Sequence, residues 1–335
     1  MRASGIGSFP GDSQRDFDEA LALVWGELGQ VEGGLAYLPE VPGRGAAAAM
    51  VGRTLGLVAE LDADLQPSGW RLTGTTGAPT LDQRRARSLL AQDLDSLEER
   101  ASGHTGGFKV QIAGPWTLAA SVERPRGDKL LADHGARRDL AQALALAVGE
   151  HVADLRRRLP SAAELIVQLD EPSLPAVLAG KVPTASGFGR HRTVHPPEAR
   201  EALEWVLAAA TAAGASGWAH CCAPGAPLGL LREAGAQGLL VDVDLLDATG
   251  HDTAAEAVEA GETIGLGVVP TTAALPSAGE LSERVLRLLD LLGLDLDSVG
   301  VITNRSPTCG LAGATPARAR RATELVGSAA RSLSS

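Results

Sequence analysis

The sequence predicts a single (β/α)8 barrel, and three observations lead to that prediction. Short apolar segments of strand type alternate with stretches of helical periodicity along most of the 335 residues. Several of these segments, such as 165–167 and 239–241, are continuous apolar runs, as in a parallel sheet covered by helices on both faces. No GxGxxG motif follows a strand, so an open dinucleotide-binding sheet has no support. Eight strand–helix units over roughly 250 or more residues are typical of the barrel.

Turn and capping signals set the limits of the units. Pro10-Gly11 ends the first strand, Asp12 or Ser13 can cap the helix that follows, and Pro42-Gly43 ends the second strand. The predicted strands span residues 4–9, 34–41, 108–113, 164–169, 217–221, 238–245, 263–269 and 299–303. The predicted helices span residues 12–28, 46–61, 136–159, 198–213, 227–234, 253–260, 277–292 and 316–333.

Residues 62–107 interrupt the alternation. They contain a Gly/Thr-rich segment at 70–79 and a strongly helical stretch at 81–100. We therefore predict an insertion between the second helix and the third strand, formed by a hairpin and a helix that cover one end of the barrel. The whole chain, residues 1–335, is expected to be one catalytic domain.

Composition excludes several classes of partner. Hydrophobic residues make up 44% of the chain and charged residues 21%, enough for a folded core. Aromatic residues are only 3% and the formal net charge is −11, so we expect neither a nucleic acid nor an anionic membrane as partner. No apolar run approaches the ~18 residues of a membrane span. The N-terminus lacks a signal peptide's apolar region, and three cysteines do not suggest a disulfide framework, so a soluble cytoplasmic protein is expected.

Two of the three cysteines lie beside a histidine at the end of the predicted fifth strand. Because side chains alternate along a strand, His220 and Cys222 should point to one face and Cys221 to the other. An imidazole and a thiolate on one face are ligand types that zinc prefers. The third cysteine, Cys309, lies in a turn-rich loop after the eighth strand. Taken alone, these residues could equally be buried packing residues.

Polar residues recur where the predicted strands end. In a (β/α)8 barrel the C-terminal ends of all strands share one rim, which carries the catalytic groups. The residues placed on this rim are Ser8, Glu40, Asp170, Glu171, His220, Cys222, Asp242, Asp244 and Cys309. Their joint placement favours a site with sulfur, nitrogen and oxygen ligands over unrelated packing residues.

Four motifs, spread over residues 6–311, resemble those of a known family. They are Ile6-Gly7-Ser8-Phe9-Pro10, Gln168-Leu169-Asp170-Glu171-Pro172, His220-Cys221-Cys222 and Ser306-Pro307-Thr308-Cys309-Gly310-Leu311. Together and in this order they resemble the catalytic C-terminal domain of the cobalamin-independent methionine synthases. The resemblance implies a (β/α)8 barrel of the uroporphyrinogen-decarboxylase-like superfamily and a catalytic Zn2+ that binds the thiol of homocysteine. It also implies a short core form, since the long synthases carry a second, N-terminal barrel.

The resemblance implies the metal ligands. His220, Cys222 and Cys309 match the zinc ligands, and Cys221 is expected to pack in the core. The family's usual fourth ligand is a glutamate at the end of the next strand. Here that strand carries Asp242, with Asp244 as the alternative, and an aspartate can also bind zinc.

The resemblance also implies how the substrate is bound. Asp170 and Glu40 match the groups that bind the homocysteine ammonium. Ile6, Gly7 and Ser8 match the segment that binds its carboxylate. Glu171, beside Asp170, is expected to orient the catalytic site or to pair with an arginine. His191 and His195, in the loop after the fourth strand, could contact a substrate or partner.

One loop departs from the family pattern. In the long synthases a histidine after the seventh strand delivers a proton to the leaving folate nitrogen, but residues 267–273 here contain no histidine. An amine leaving group needs such an acid, whereas the cobalt of a corrinoid does not. We therefore expect a methylated corrinoid, free or protein-bound, as donor rather than methyltetrahydrofolate, with a methylfolate as the alternative.

The expected function is a zinc-dependent S-methyltransferase that converts homocysteine to methionine. One alternative is an alkyltransferase acting on another thiol, such as coenzyme M, but that thiol lacks the ammonium that Glu40 and Asp170 would bind. A metal-free uroporphyrinogen decarboxylase has no use for the His-Cys-Cys set. A zinc-binding barrel without catalytic activity is the alternative from a different class.

Overall fold

The computed structural model describes residues 2–74, 77–294 and 304–331. Its strands are β1 Arg2–Ala3, β2 Ala36–Tyr37, β3 Ala63–Gln66, β4 Gly69–Leu72, β5 Gly107–Ala113, β6 Glu164–Asp170, β7 Ser216–Cys221, β8 Gly238–Asp242, β9 Thr263–Val269 and β10 Asn304–Pro307. Its α-helices are α1 Gln14–Val24, α2 Met50–Leu57, α3 Leu81–Arg100, α4 Pro115–Ser121, α5 His134–Arg158, α6 Leu174–Leu178, α7 Pro196–Ala212, α8 Leu228–Glu233, α9 Ala248–Glu259, α10 Ala278–Leu291 and α11 Pro316–Arg331.

Eight of these strands form one parallel sheet that closes on itself. Its order is β1-β10-β9-β8-β7-β6-β5-β2, so the two edge strands are the first two in the chain. Backbone hydrogen bonds join these edges: Ala3 N–H donates to Gly33 (2.7 Å), Leu35 N–H to Ala3 (2.8 Å) and Phe9 N–H to Glu40 (2.7 Å). Helices follow the strands in alternation. The predicted (β/α)8 barrel is thus confirmed.

The first strand was predicted at residues 4–9, but β1 comprises Arg2–Ala3 and ends before them. Residues 4–9 lie mostly outside regular pairing, apart from a single bridge between Ser8 and Glu40. The segment passes close to Tyr37. Glycine at position 5 permits this approach, because a Cβ there would lie 2.1 Å from the Tyr37 hydroxyl oxygen. Backbone hydrogen bonds between Glu40 and residues 7 and 9 hold the end of this segment beside the residues that follow β2. Ser13 caps α1 through its side chain, as one of the two predicted caps.

Two further predictions need adjustment along the chain. Strand β8 ends at Asp242 rather than at residue 245, because residues 243–245 form a 3-10 turn whose first backbone N–H groups Asp242 caps. Helix α9 begins at Ala248 rather than at residue 253, since Asp247 caps it. The predicted eighth strand, 299–303, lies outside the described residues, and β10 follows directly after it.

Between α2 and β5 the chain forms an antiparallel hairpin, β3–β4, and the long helix α3. These are the elements predicted for residues 62–107. Helix α3 packs on α2 and the hairpin connects to the barrel through a hydrogen bond from Leu72 N–H to the Glu123 carbonyl (2.8 Å). The insertion therefore stands next to the loops that follow β2 and β5.

The inside of the barrel changes from apolar to polar towards the C-terminal ends of the strands. Ile6, Leu35, Ile166, Trp218 and Leu240 form a buried cluster separate from the larger core between strands and helices. Two residues further along their strands, on the same inner face, stand residues such as Gln168 and His220. Within residues 2–74, 77–294 and 304–331, no helix has the length and apolar character needed to cross a membrane.

Candidate metal and substrate site

A cavity of about 240 Å3 opens where the barrel strands end. Eight of its lining residues were predicted as site residues from the resemblance and the rim, and two of these eight are the thiols of Cys222 and Cys309. The other lining residues were not predicted. The lining residues are Ile6, Gly7, Ser8, Glu40, Pro42, Met50, Gln111, Asp170, Pro172, His220, Cys222, Cys309 and Gly310. The predicted site residues Glu171 and Asp242 are not among them.

His220, Cys222 and Cys309 come together at this cavity. One ligand atom from each lies within 4.8 Å of the other two. His220 and Cys222 share a face at the end of β7, and Cys309 follows β10 by two residues. Cys221, which points the other way, is buried with 2% of its surface exposed. The three residues could hold a metal ion.

The His220 ring has a defined orientation. Its Nδ1 lies 3.1 Å from the Leu240 carbonyl oxygen, and a carbonyl only accepts, so Nδ1 carries the hydrogen. Among the residues that the structure describes, the buried Nε2 has no nitrogen or oxygen partner and faces the Cys309 sulfur. In the neutral ring Nε2 therefore presents a lone pair, which is what a metal ligand requires. Burial lowers the pKa of His220, but the Cys309 sulfur and the Asp170 carboxylate raise it above its usual value on balance.

The two thiols share protons unequally. A hydrogen bond from the Cys222 thiol holds the pKa of Cys309 well below its usual range, although burial opposes this shift. The same hydrogen bond, reinforced by burial, raises the pKa of Cys222. The Cys309 sulfur is thus readily deprotonated to a thiolate, and it lies beside the His220 imidazole and the Cys222 thiol. This donor set of one nitrogen and two sulfurs fits zinc, which displaces the remaining protons when it binds.

The structure does not bring the predicted fourth ligand into this group. The Asp242 carboxylate accepts a hydrogen bond from Asp244 N–H (3.0 Å) and another from the Thr308 side chain. The alternative, Asp244, is exposed and paired with Arg284. Because β8 ends early in a 3-10 turn, the Asp242 carboxylate binds within that turn and the Asp244 carboxylate pairs with Arg284 of α10.

Glu40 and Asp170 are buried carboxylates at the same cavity, with 4% and 7% of their surface exposed. Burial raises the pKa of Asp170, and the nearby Glu40 carboxylate adds to the effect. Burial also raises the pKa of Glu40, while Arg53 opposes this shift. Two buried acids of raised pKa would be stabilised in their ionised form by a cation placed between them.

Ser8 connects the first motif to the last. Its hydroxyl oxygen accepts a hydrogen bond from Ala312 N–H (3.3 Å), and its carbonyl accepts one from Leu311 N–H (2.8 Å). A Cβ at Gly310 would lie 2.1 Å from the Ser8 hydroxyl oxygen. The glycine beside Cys309 is therefore required for the close approach of these two loops.

Gln111 was missed by the sequence analysis. Its amide nitrogen donates to the Leu38 carbonyl (2.7 Å), and its amide oxygen, buried at the cavity, has no hydrogen-bond partner within the described part of the chain. The signal was present in the alternation Phe108-Lys109-Val110-Gln111-Ile112. Polar residues at every second position of a strand buried on both faces indicate a polar inner face.

Glu171 supports the cavity from outside it. Its carboxylate accepts hydrogen bonds from Trp116 N–H (2.8 Å), Thr117 N–H (2.8 Å) and the Thr117 hydroxyl (2.7 Å), at the N-terminus of α4. Burial nevertheless raises the pKa of Glu171 to about 7. These bonds connect the end of β6, where Asp170 lies, to the loop after β5.

The two histidines of the loop after β6 do not line the cavity. The Nε2 of His191 lies 3.2 Å from the Asp128 carboxylate, so it joins two neighbouring loops. His195 precedes α7 and is exposed.

Comparisons with known proteins show the family and the fold of this chain. The family model described as "Cobalamin-independent synthase, Catalytic domain" matches residues 99–332, more than half of the chain. A B12-independent methionine synthase from Shewanella sp. W3-18-1, solved in complex with selenomethionine, has a similar structure with a TM-score of 0.61. The two chains are 12% identical, over 100% of this chain and 98% of that one, which shows a common fold. No curated protein matches the sequence.

Proposed function

This chain belongs to the family of cobalamin-independent synthase catalytic domains, and from that premise we propose that it is a zinc-dependent S-methyltransferase that converts homocysteine to methionine. The observation that carries the proposal is the group of His220, Cys222 and Cys309, with ligand atoms within 4.8 Å of one another. It lies in one cavity with Glu40 and Asp170, the two buried carboxylates. The three metal ligands, which would bind the thiol, therefore lie in the same cavity as the two carboxylates, which would bind the ammonium.

The donor set suits activation of a sulfur. Zinc held by this group would stabilise the thiolate of a bound thiol, and the thiolate is its nucleophilic form. Zinc sites are usually four-coordinate, so three protein ligands leave a position for the substrate sulfur. Asp242 is the candidate for a further protein ligand; it would have to exchange its hydrogen bonds with Asp244 and Thr308 for the metal.

The rest of the cavity suits an amino acid. Glu40 and Asp170 would bind the ammonium of homocysteine, and the free amide oxygen of Gln111 offers a third acceptor. The Ser8 hydroxyl and the backbone of residues 6–8 would bind its carboxylate. Glu171 acts as a positioning residue, because it holds the loop after β5 against the strand that carries Asp170.

These carboxylates favour homocysteine over the alternative thiols. Coenzyme M has a sulfonate and no ammonium, so it would leave Glu40 and Asp170 as two buried acids without a cation. The Shewanella protein was solved with selenomethionine, the selenium analogue of methionine, and the proposed cavity would accept an amino acid of the same kind. A zinc-binding barrel without turnover would bind the metal but would not need the carboxylates of Glu40 and Asp170.

The methyl donor that we propose is a methylated corrinoid, free or protein-bound, used as a co-substrate. The support is the loop after β9, where residues 267–273 supply no side chain that could protonate a folate nitrogen. Arg318 of α11 donates to the carbonyls of Pro270 and Thr271 (both 2.7 Å), which fixes this loop. A methylfolate is the alternative donor.

The experiment compares Cys309→Ser with Cys221→Ser. We expect wild type and Cys221→Ser to bind close to one zinc per chain, and Cys309→Ser to lose most of it, since an alcohol is a poor zinc ligand. Metal content is measured after dialysis, and homocysteine binding by isothermal titration of the zinc-loaded proteins. Zinc retained in Cys309→Ser would refute the metal site. Zinc binding without homocysteine binding in wild type would support the barrel without turnover instead.

A further inference from the structure

We propose that Lys109 is a positioning residue that fixes the amide of Gln168, and through it both halves of the amino-acid site. This inference rests on the proposed function, because it concerns how homocysteine is bound. Neither residue lines the cavity, and the sequence analysis assigned neither of them to the site. Both lie directly beneath it, on the inner faces of the neighbouring strands β5 and β6.

Lys109 is a fully buried ammonium with a complete set of partners. Its Nζ donates to the amide oxygen of Gln168 (2.7 Å) and to the carbonyl of Ile6 (3.1 Å). The same atom lies over the ring of Tyr37, 5.0 Å from the ring centre. None of the surface of Lys109 or Gln168 is exposed. Burial lowers the pKa of Lys109, while the Asp170 and Glu40 carboxylates oppose this shift. The fixed partners of Nζ therefore stabilise its charged form.

The ammonium decides which way the Gln168 amide points. In its charged form lysine has only donors, so the amide oxygen faces Nζ and the amide nitrogen faces away. The nitrogen then donates to the Asp170 carboxylate (2.7 Å) and to the Ile6 carbonyl (3.0 Å). A flipped amide would place its oxygen against these two acceptors and its nitrogen against the ammonium. The chemistry therefore allows one orientation only.

Both halves of the amino-acid site depend on this orientation. The hydrogen bond from Gln168 fixes the rotation of the Asp170 carboxylate, which would receive the substrate ammonium. The Ile6 carbonyl is held by two donors, Lys109 and Gln168, so the segment that would receive the substrate carboxylate is fixed as well. Without the ammonium, the buried Gln168 amide oxygen loses its donor, and only the bonds to Asp170 and Ile6 remain to orient the amide.

The test uses Lys109→Met, which keeps most of the volume and removes every donor. We expect homocysteine to bind about 10-fold or more weakly, as for loss of a charge-assisted hydrogen bond that orders the site. Zinc content should stay at the wild-type level, since no metal ligand contacts Lys109. Binding is measured by isothermal titration with homocysteine and with its desamino analogue, 4-mercaptobutanoate. The preference for homocysteine over the analogue should fall in the variant.

Further variants separate positioning from a general packing defect. Gln168→Met and the double variant Lys109→Met/Gln168→Met should weaken homocysteine binding no more than Lys109→Met alone, because the two residues act in series. Lys109→Gln can donate from its own amide, so it should fold and should regain part of the affinity. Lys129→Met is the matched control, since Lys129 donates to the Ser121 carbonyl (3.0 Å) and lies outside the cavity lining.

The outcomes distinguish this inference from the proposed function. If wild type binds zinc but not homocysteine, the proposed function is wrong and the inference is overturned with it. If wild type binds homocysteine and Lys109→Met binds it equally well, only the inference is overturned. Additive losses in the double variant would also overturn it, because they would mean that Lys109 does not act through Gln168.

Discussion

Asp93 of helix α3 forms a buried ion pair with Arg53 of helix α2. The same carboxylate accepts two hydrogen bonds from Arg44 (both 2.8 Å), in the loop after β2. The Nε of Arg53 lies 3.7 Å from the Glu40 carboxylate. A residue of the insertion thus binds two arginines, one of which, Arg53, lies next to a carboxylate of the proposed substrate site. This contact gives the insertion a structural role at the rim.

Replacing Asp93 should destabilise the protein strongly. Asp93→Ala leaves two buried guanidinium groups without their carboxylate, and breaking a buried pair in this way costs about 3 to 5 kcal/mol. We expect a loss of this order in the free energy of unfolding, measured by urea denaturation. Asp95→Ala is the matched control on the same helix, because Asp95 forms an exposed pair with Arg158. That control should change the free energy of unfolding by less than about 1 kcal/mol, and a similar loss in both variants would contradict the assignment.

Homocysteine binding should weaken as the pH falls below neutrality. Burial raises the pKa of both Glu40 and Asp170, so these acids take up protons above the usual carboxylate range of about 3.9 to 4.3. The ammonium of homocysteine binds only to the ionised acids. Affinity is therefore complete above the raised pKa values and is lost as the pH falls through them.

The measurement is the dissociation constant of homocysteine between pH 5.5 and pH 8.5, with zinc content checked at each point. The desamino analogue, 4-mercaptobutanoate, serves as the control, because its binding involves no ammonium. Asp170→Asn should weaken homocysteine binding about 10-fold or more and should reduce the pH dependence. An unchanged pH profile in this variant would show that Asp170 does not bind the ammonium.

Gly310 should not tolerate a side chain. In Gly310→Ala the new Cβ would lie 2.1 Å from the Ser8 hydroxyl oxygen. Either Ser8 or the Cys309 loop has to move, and such overpacking costs about 1 to 3 kcal/mol. We expect a lower midpoint of thermal unfolding together with weaker homocysteine binding. Gly313→Ala, where a Cβ meets nothing within 4 Å, should leave both quantities unchanged; equal effects would argue against the close contact of the two loops.

The sequence predicted the residues whose position follows from strand alternation. The parallel barrel places the ends of all strands on one rim, and the alternation in β7 separates His220 and Cys222 from Cys221. Asp242 shows the limit of this reasoning. Whether β8 continues or turns depends on a cap formed by Asp242 itself, and the turn redirects the carboxylate to Asp244 N–H.

Lys109 and Gln168 show a second limit. Their partners come from three segments, around residues 6, 109 and 168, that are distant in sequence. Alternation can place both residues on the inner face of the barrel, but it cannot show which hydrogen bonds they form. Similarly, the role of Asp93 depends on how α3 packs against α2, which a helical pattern does not specify.

A methylated corrinoid should support turnover better than methyltetrahydrofolate. Transfer of the methyl group from a methyl–cobalt(III) corrinoid to the homocysteine thiolate forms the new C–S bond and leaves the electron pair of the broken bond on cobalt, as cobalt(I). No proton is needed, whereas an amine leaving group needs an acid that residues 267–273 do not supply.

We expect the zinc-loaded protein to form methionine from homocysteine and methylcobalamin under anaerobic conditions, with the absorbance of cobalt(I) appearing at the same rate. Cys309→Ser should abolish both signals, which controls for uncatalysed transfer. Methionine formation from methyltetrahydrofolate and homocysteine alone, at a rate equal to or above that with methylcobalamin, would identify a methylfolate as the donor.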